Sequence, residues 1–526
     1  MLVEHVNARE SARLCSYGAR TSNTHLIGRS AQTIAALHVR SRAMPSRTWA
    51  GVAALTLLAF VLRLVQLLDQ SLFADELFLY AIVAHHDLGH VLSAVHDSES
   101  TPPLHFVLAW ASGQVGDPTT WVRVPSLLAG TATVPATFLL GRRTVGERAG
   151  LIAAAVLAIA PFTLLYGVEA RAYALLGLLS VLSTLALLRA LESRRRAWWI
   201  VFGALTLAIL YTHYAGVFVV AAQGAWGAWR HRDRLRELAL TYAAVAVGYA
   251  PWIPSFVFQS HDSAANRIED IYPLSVESAF RGVLQVVPGH PFFPLRELPG
   301  RPAVVVLVAV VATAAALALF RALRAPGDDG GPAAPTRIDL LAILALATPL
   351  GALLYSLGPQ SVYLPRNLIA SLPAAALLLG AAIARAGRIP AIALAAGLLA
   401  VLAFGAAKTF EAKFKRPPYR QAADYIERRA GPGDAVVELA IYSRPPLGLS
   451  PYLDDDRLPL SRFRPARPLP PPPGGPRARV FLLVPQAGVL RGTPRLRELR
   501  GFQLVSAHYF RGGGPLGLFE YRPRRG

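Results

Sequence analysis

The sequence predicts a polytopic α-helical membrane protein of about eleven spans, with interfacial helices in its first outer loop and a C-terminal soluble α/β domain. Two observations support this fold class. Of the 526 residues, 53% are hydrophobic, and apolar runs of about 18 residues or more, the length that a helix needs to cross a bilayer, recur along the chain. Arginines cluster between these runs, as they do in the cytoplasmic loops of membrane proteins.

The apolar runs give the order of the spans. They are 49–68, 122–140, 149–166, 172–191, 198–212, 214–229, 238–258, 302–320, 338–357, 366–384 and 389–407. The short basic connections after every second run place the N-terminus in the cytoplasm. The first outer loop, 69–121, then contains no Lys or Arg. Two apolar stretches in this loop, 77–95 and 103–116, are predicted to lie as helices at the outer interface.

The two ends of the chain differ from the membrane region. Residues 1–48 are basic and contain no run that could span, so they are predicted to be a disordered cytoplasmic extension, and 1–43 could equally come from a mis-assigned start codon. Residues 408–526 are predicted to form a small extracytoplasmic α/β domain, with a helix over 419–429 and a hairpin near the end. The domain could also recruit an acceptor.

Charge and cysteine content exclude several classes of site. The net charge of +21 is accounted for by basic loops, so no nucleic-acid partner is predicted. The one cysteine, Cys15, excludes an intramolecular disulfide and a cysteine-based metal centre. No phosphate-binding glycine motif for a nucleotide is present.

Two neighbouring carboxylates stand out directly after the first span. Asp75 and Glu76 lie next to lipid, where acidic groups are costly and are usually functional. On a helix, adjacent side chains point about 100° apart, so the two are predicted to have separate roles. The alternative is that Asp75 only caps the following helix.

Several motifs, in order, resemble the GT-C glycosyltransferases of family 39, the bacterial branch related to protein O-mannosyltransferases and to the lipid A aminoarabinose transferase. They are ADELFLYAIV, TPPLHFVLAW, the segment ending in LLYGVEARAYAL, THYAG, YLPRN and YRQAADYIERRAGPGD. The resemblance implies an inverting enzyme without a cofactor in the bacterial inner membrane. Its donor would be a polyprenyl-phosphate sugar, and its acceptor a protein, lipid or glycan at the outer face.

This chemistry suggests roles for the polar residues of the outer loops. Asp75 is predicted to be the general base and Glu76 to orient the acceptor, while Arg171 and Arg366 would bind the donor phosphate. The remaining predicted cavity residues are Glu169, His105, His213 and Tyr214.

Simpler interpretations of these side chains stay open. Either arginine could be a helix-end anchor, and Arg171 could pair locally with Glu169. Arg63 is expected to pair with a loop carboxylate. A divalent metal near Asp97 and Glu99 is a further alternative, although no ligand spacing favours it.

Two other functions fit a membrane protein of this composition. A glycolipid flippase should show paired repeats with interrupted helices and charges in mid-membrane, and the sequence shows neither. A surface-polysaccharide polymerase or ligase would differ only in its acceptor, which the sequence does not identify.

Overall fold

The structure is a computed structural model. It describes residues 46–73, 75–193, 195–261, 274–286, 337–358, 361–439, 446–453, 458–464, 473–475, 478–485 and 501–524. Residues 51–526 form one compact unit, which contains the site discussed below. The predicted span 302–320 and the N-terminal segment 1–43 lie outside the described residues.

The described part of the chain is mainly helical. The first helices are α1 Ser46–Asp69, α2 Asp75–Val83, α3 Leu88–Ser98, α4 Leu104–Gly113, α5 Pro118–Trp121, α6 Val124–Thr144, α7 Glu147–Ile159, α8 Pro161–Tyr166 and α9 Tyr173–Glu192. They are followed by α10 Arg196–Thr212, α11 Gly216–Arg230, α12 Leu235–Tyr249, α13 Ile253–His261, α14 Val276–Val286, α15 Ile338–Tyr355, α16 Leu372–Arg385, α17 Arg388–Thr409 and α18 Tyr419–Arg429. A 3₁₀ turn, Pro365–Ser371, leads directly into α16.

Seven helical segments of the described chain are long and apolar enough to cross a membrane. They are Arg47–Asp69, Pro118–Thr144, Tyr173–Glu192, Arg232–His261, Ile338–Tyr355, Pro365–Arg385 and Arg388–Thr409. Each overlaps a predicted span. The predicted spans 149–166, 198–212 and 214–229 also form helices, but these are shorter than a full crossing. The total of eleven spans therefore stays a prediction.

A proline explains why the predicted span 149–166 is broken. Pro161 has no N–H, so it cannot donate to the carbonyl of Leu157, and the helix is interrupted there. Side chains supply donors instead. Arg63 Nη2 donates to Leu157 O at 2.9 Å and its Nη1 to Ala158 O at 3.2 Å, and the Thr163 hydroxyl also donates to Leu157 O, at 2.8 Å. The expectation that Arg63 pairs with a loop carboxylate is therefore wrong, because the freed carbonyls take its guanidinium.

Glycines allow the spans to approach closely, as is common in membrane bundles. At Gly380, where α16 crosses α7, an added Cβ would overlap the backbone carbonyl oxygen of Ala149. We expect Gly380→Ala to destabilise the protein by about 1–3 kcal/mol, because a backbone atom must move. Thermal unfolding in detergent measures this loss. In the control Gly51→Ala, the new Cβ would meet only the Leu151 side chain, at 3.9 Å; an equal loss there would contradict the packing argument.

The first outer loop folds into four short helices, α2 to α5. One helix was predicted over 77–95, but the chain breaks between α2 and α3, where His85 has a φ of 62°. Asp87 starts the second helix, because its Oδ1 accepts the N–H of His90 at 2.9 Å. Helices α2, α3 and α4 then pack together around Leu79, Val91 and Phe106.

The described part of the C-terminal region contains a mixed five-stranded sheet. The strands are β1 Ala435–Leu439, β2 Leu460–Phe463, β3 Val480–Val484, β4 Phe502–Phe510 and β5 Leu516–Pro523, in the order β2-β1-β3-β5-β4. β1 is parallel to β2 and β3, whereas β5 is antiparallel to β3 and β4. β1 and β3 are buried along their whole length, and α18 covers one face through Ile426. The helix and hairpin predicted here are present.

Candidate active site

Asp75 and Glu76 lie in the first turn of α2 and point in different directions, as adjacent residues on a helix must. Glu76 is completely buried. Asp75 keeps 30% of its side-chain surface accessible. The two carboxylates therefore have different neighbours and can have different roles.

Glu76 is the centre of a buried hydrogen-bond network. Its Oε1 accepts the backbone N–H of Ala170 at 2.8 Å, which ties the short 167–172 connection to α2. Its Oε2 accepts the N–H of Phe73 at 3.3 Å, the carboxylate half of a capping box. Two arginines, Arg123 and Arg416, supply the opposite charge.

Arg123 connects Glu76 to the end of the first span. Its Nε donates to Glu76 Oε1 at 2.8 Å and its Nη2 to Oε2 at 2.6 Å, a bidentate pair. The remaining N–H groups reach the backbone carbonyls of Leu67, Gln70 and Ser71. These carbonyls are left without donors where α1 ends, so Arg123 both caps α1 and orients Glu76.

Arg416 reaches the same carboxylate from beyond the last described span. Its Nη1 donates to Glu76 Oε2, and its Nη2 lies 3.8 Å from Glu169 Oε2. Neighbouring contacts hold this segment against the first outer loop. Tyr452 Oη accepts the N–H of Leu72 at 2.6 Å, and the backbone N–H of Arg420 donates to Ser71 Oγ at 3.0 Å.

Asp75 forms a second, more open ion pair. Arg366 Nη1 donates to its Oδ2 at 2.6 Å, and both side chains stay partly exposed, at 28% and 30%. The Arg366 guanidinium also lies 5.7 Å from the ring centre of Tyr173, a cation–π contact. The resemblance placed Asp75 and Arg366 in one site, and the structure brings them into direct contact.

Arg171 and Glu169 do not pair with each other. Arg171 Nη2 donates to Glu99 Oε2 at 3.1 Å, and its guanidinium lies 5.7 Å from the ring centre of Phe106. Glu169 instead faces Arg416. The local Glu169–Arg171 pair is therefore excluded by geometry, and Glu99, considered above only as a metal ligand, is the partner of Arg171.

The predicted histidines lie close to these arginines. His105 and His213 are buried. Burial and the charge of Arg171 lower the pKa of each to about 3, so both rings are neutral at physiological pH. His213 Nδ1 accepts the N–H of Ala215 at 3.1 Å, and its ring lies 5.7 Å from that of Tyr173.

Tyr214 has a different set of partners. Its hydroxyl donates to Gln259 Oε1 at 2.6 Å and accepts from Trp252 Nε1 at 3.2 Å. These partners lie at α13 and the turn before it, so this hydroxyl is already engaged there.

The carboxylates at the site differ in their pKa values. Burial alone would raise the pKa of Asp75, but Arg366, Arg171 and Arg416 together lower it below its ordinary value. Burial raises the pKa of Glu169 to about 7, since the negative charges of Glu76 and Asp75 add to the effect and Arg416 only partly offsets it. Glu169 is thus the carboxyl that titrates near neutral pH.

Among the described residues, no group of three His, Cys, Asp or Glu side chains is arranged to hold a metal ion. Asp97 instead accepts from Ser93 Oγ at 3.3 Å. The arrangement offers acid–base groups and anion-binding groups side by side.

Sequence reasoning missed the buried frame of the site. Arg123 begins the motif segment that ends in LLYGVEARAYAL, and Arg416 stands in the basic stretch KFKRPPYR; no role was predicted for either residue. A buried carboxylate requires a partner of opposite charge. This requirement was the available signal, because it indicates that arginines elsewhere in the chain must pair with Glu76.

Comparisons with known proteins support the fold. Residues 100–258 match the family model described as dolichyl-phosphate-mannose-protein mannosyltransferase. The structure is similar to that of ArnT from Cupriavidus metallidurans bound to undecaprenyl phosphate, with a TM-score of 0.52 and 15% identity over 90% of this chain and 98% of that one. It is also similar to the apo oligosaccharyltransferase of Archaeoglobus fulgidus, with a TM-score of 0.50 and 13% identity over 80% of this chain and 65% of that one. No curated protein sequence matches.

These matches confirm the resemblance to the GT-C superfamily that the motifs indicated. Residues 100–258 carry the match to the family model, and most of the chain shares its fold with these GT-C structures. The seven apolar helices of the described chain indicate an integral membrane protein.

Proposed function

We propose that this protein is an inverting glycosyltransferase that moves a sugar, mannose-like or other, from a polyprenyl-phosphate carrier to a protein, lipid or glycan acceptor on the outer face of the bacterial inner membrane. One observation carries the proposal. A partly exposed carboxylate–guanidinium pair, Asp75–Arg366, lies beside a fully buried network that fixes its surroundings. The base, Asp75, and the anion-binding group, Arg366, are then both accessible to the substrate at one place.

The reaction needs few groups. The acceptor hydroxyl attacks the anomeric carbon, the bond from that carbon to the phosphate oxygen breaks, and the carrier leaves as a phosphate anion. Because this leaving group needs no proton, one base for the hydroxyl proton is sufficient. Cations must stabilise the charge that builds up on the phosphate, and Arg366 and Arg171 are the proposed cations.

Donor binding would also activate the base. A phosphate that bonds Arg366 competes directly with Asp75 for the same guanidinium. Once Asp75 loses this partner, the arginine charge no longer offsets the effect of burial, which raises the pKa of Asp75. The pKa then rises towards a value that suits proton transfer. Asp75 then accepts the proton of the acceptor hydroxyl.

The other predicted residues have supporting roles. Glu76 has no accessible surface, so we propose that it holds α2 and the 167–172 connection in place and does not contact the acceptor. Glu169, His105 and His213 would line the substrate cavity next to the arginines. Tyr214 would form one edge of this cavity, held there by its hydrogen bond to Gln259 on α13.

We also propose the membrane arrangement that the basic loops indicate: eleven spans, a cytoplasmic N-terminus, and an extracytoplasmic site and α/β domain. The similar ArnT structure has undecaprenyl phosphate as its bound lipid, which supports a polyprenyl carrier for this chain. A surface-polysaccharide polymerase or ligase would use the same groups with a glycan acceptor.

Replacing Arg366 tests the donor site. With radiolabelled polyprenyl-phosphate mannose in proteoliposomes, we expect Arg366→Gln to lower kcat/KM for the donor by roughly 10–100-fold, because a charge-assisted phosphate contact contributes about 1.5–3 kcal/mol. Arg366→Lys should recover part of this loss.

The matched control is Arg230→Gln, which removes an arginine from an exposed pair with Asp339 and should behave as wild type. An unchanged kcat/KM for the donor in Arg366→Gln would contradict the proposed phosphate site.

A further inference from the structure

The polar cluster is nearly neutral in charge. Within the described chain it contains as many guanidinium groups as carboxylates, namely Asp75, Glu76, Glu99 and Glu169 with Arg123, Arg171, Arg366 and Arg416. Buried charges are tolerated only when they are paired, so each arginine can be assigned to the acid that it compensates.

Three of the four arginines have an acid other than Glu169 as their ionic partner. Arg366 pairs with Asp75 at 2.6 Å and Arg171 with Glu99 at 3.1 Å. Arg123 uses its donors on Glu76 and on the carbonyls at the end of α1. Within 4 Å, Glu169 is left with Arg416 as its ionic partner among the described residues.

Arg416 is shared between two acids. Its side chain is 4% exposed, yet its Nε has no hydrogen-bond partner in the described structure. It contacts Glu76 with Nη1 and faces Glu169 with Nη2 at 3.8 Å. A buried guanidinium that bridges two acids with donors to spare acts mainly through its charge.

We infer that Arg416 is a positioning residue that stabilises the charged form of Glu169, so that the segment beyond the last described span completes the catalytic centre. The first half of this inference concerns the protein alone. The second half rests on the proposed function, because it requires Glu169 to act as a carboxylate beside the substrate.

The charged and titratable groups that face Glu169 come from several elements. They are Asp75 and Glu76 on α2, Arg123 before α6, Tyr166 on α8, Tyr173 on α9, Arg366 in the turn before α16, and Arg416 before α18. Burial and the nearby acids raise the pKa of Glu169, and of the groups that lower it Arg416 has the largest effect. Removal of Arg416 must therefore raise this pKa further.

An infrared titration tests the first half without substrate. The carboxylic-acid C=O band of Glu169 is isolated by subtracting the spectrum of Glu169→Gln, and it is followed against pH in detergent. We expect Arg416→Gln to move the midpoint upward by roughly 1–3 units from about 7, and Arg416→Lys to move it less. Arg428→Gln, at an exposed position on α18, should leave it unchanged.

A pH profile of sugar transfer tests the second half. If Glu169 works ionised, the acidic limb in Arg416→Gln shifts to higher pH by the same amount as the midpoint, and activity recovers in base. An unmoved midpoint in a folded variant overturns the inference. If the infrared midpoint moves while the pH profile of transfer stays fixed, Arg416 does stabilise the charged form of Glu169. The ionised Glu169 is then not required for catalysis, and the second half of the inference is wrong. Absence of transfer by wild type counts against the proposed function only, because the infrared result does not depend on it.

Thermal unfolding separates this role from a purely structural one. If Arg416 is merely structural, Arg416→Gln loses the same fraction of its transfer activity at every pH. That fraction matches the loss of folded protein, and Arg416→Lys does not restore the activity. That outcome would also overturn the inference.

Discussion

Replacing Asp75 by Asn is expected to lower sugar transfer by about 100-fold or more while the protein stays folded, as loss of a general base typically does. The change preserves the shape of the side chain and its ability to accept the Arg366 hydrogen bond, now at 2.6 Å. It removes the capacity to take a proton, together with the negative charge that pairs with Arg366. Initial rates with radiolabelled polyprenyl-phosphate mannose, at saturating donor, measure the effect on the chemical step.

The control is Asp97→Asn, at a carboxylate of the same outer loop that is 61% exposed. It should transfer sugar at the wild-type rate. Equal activity of the Asp75 and Asp97 variants would leave Asp75 as a helix-end residue, and Glu169, whose pKa of about 7 suits a base, would become the candidate. The thermal midpoint of both variants should match wild type, so that a lost rate is not a lost fold.

The sequence could predict elements whose cause is local. Apolar runs predicted the helices, and alternating patterns predicted β4 and β5, because helix and strand formation depend on neighbouring residues. The break between α2 and α3 was missed although its signal, the N-cap Asp87, is also local. The apolar stripe continues across the break, and a stripe alone does not reveal where one helix ends and the next begins.

The pairings within the site could not be read from local pattern. Asp75 and Arg366 are 291 residues apart in sequence, and Glu76 and Arg416 are 340 apart. Motif resemblance placed the first pair in one site, since both belong to segments with a family likeness. Arg416 carried no such signal, because a basic run after a span is also typical of a surface linker.

Arg63 shows why even a correctly suspected arginine can be given the wrong partner. A buried charge suggests an opposite charge, but backbone carbonyls also stabilise a guanidinium where they lack donors. Pro161 creates such carbonyls at the end of α7. The partner was therefore encoded by a proline almost a hundred residues away, which becomes relevant only once the two helices are packed together.

Replacing Glu76 by Gln is expected to destabilise the protein by about 3–5 kcal/mol, the typical cost of removing one partner from a buried ion pair. Arg123 and Arg416 would both lose their buried countercharge, and the new amide NH₂ would face a guanidinium. Thermal or denaturant unfolding in detergent measures the loss.

The control for this substitution is Glu147→Gln, which removes a 41%-exposed carboxylate 4.0 Å from Arg142. Its effect should stay within about 1 kcal/mol, as for surface ion pairs in general. Glu76→Gln could instead unfold at the same temperature as wild type and lose only its affinity for the acceptor. Glu76 would then reach the acceptor in a conformation more open than this one. The acceptor-binding role suggested by the sequence would replace the structural role. A large loss of stability with an unchanged acceptor KM in the folded fraction would establish Glu76 as the residue that positions Asp75 and does not touch substrate.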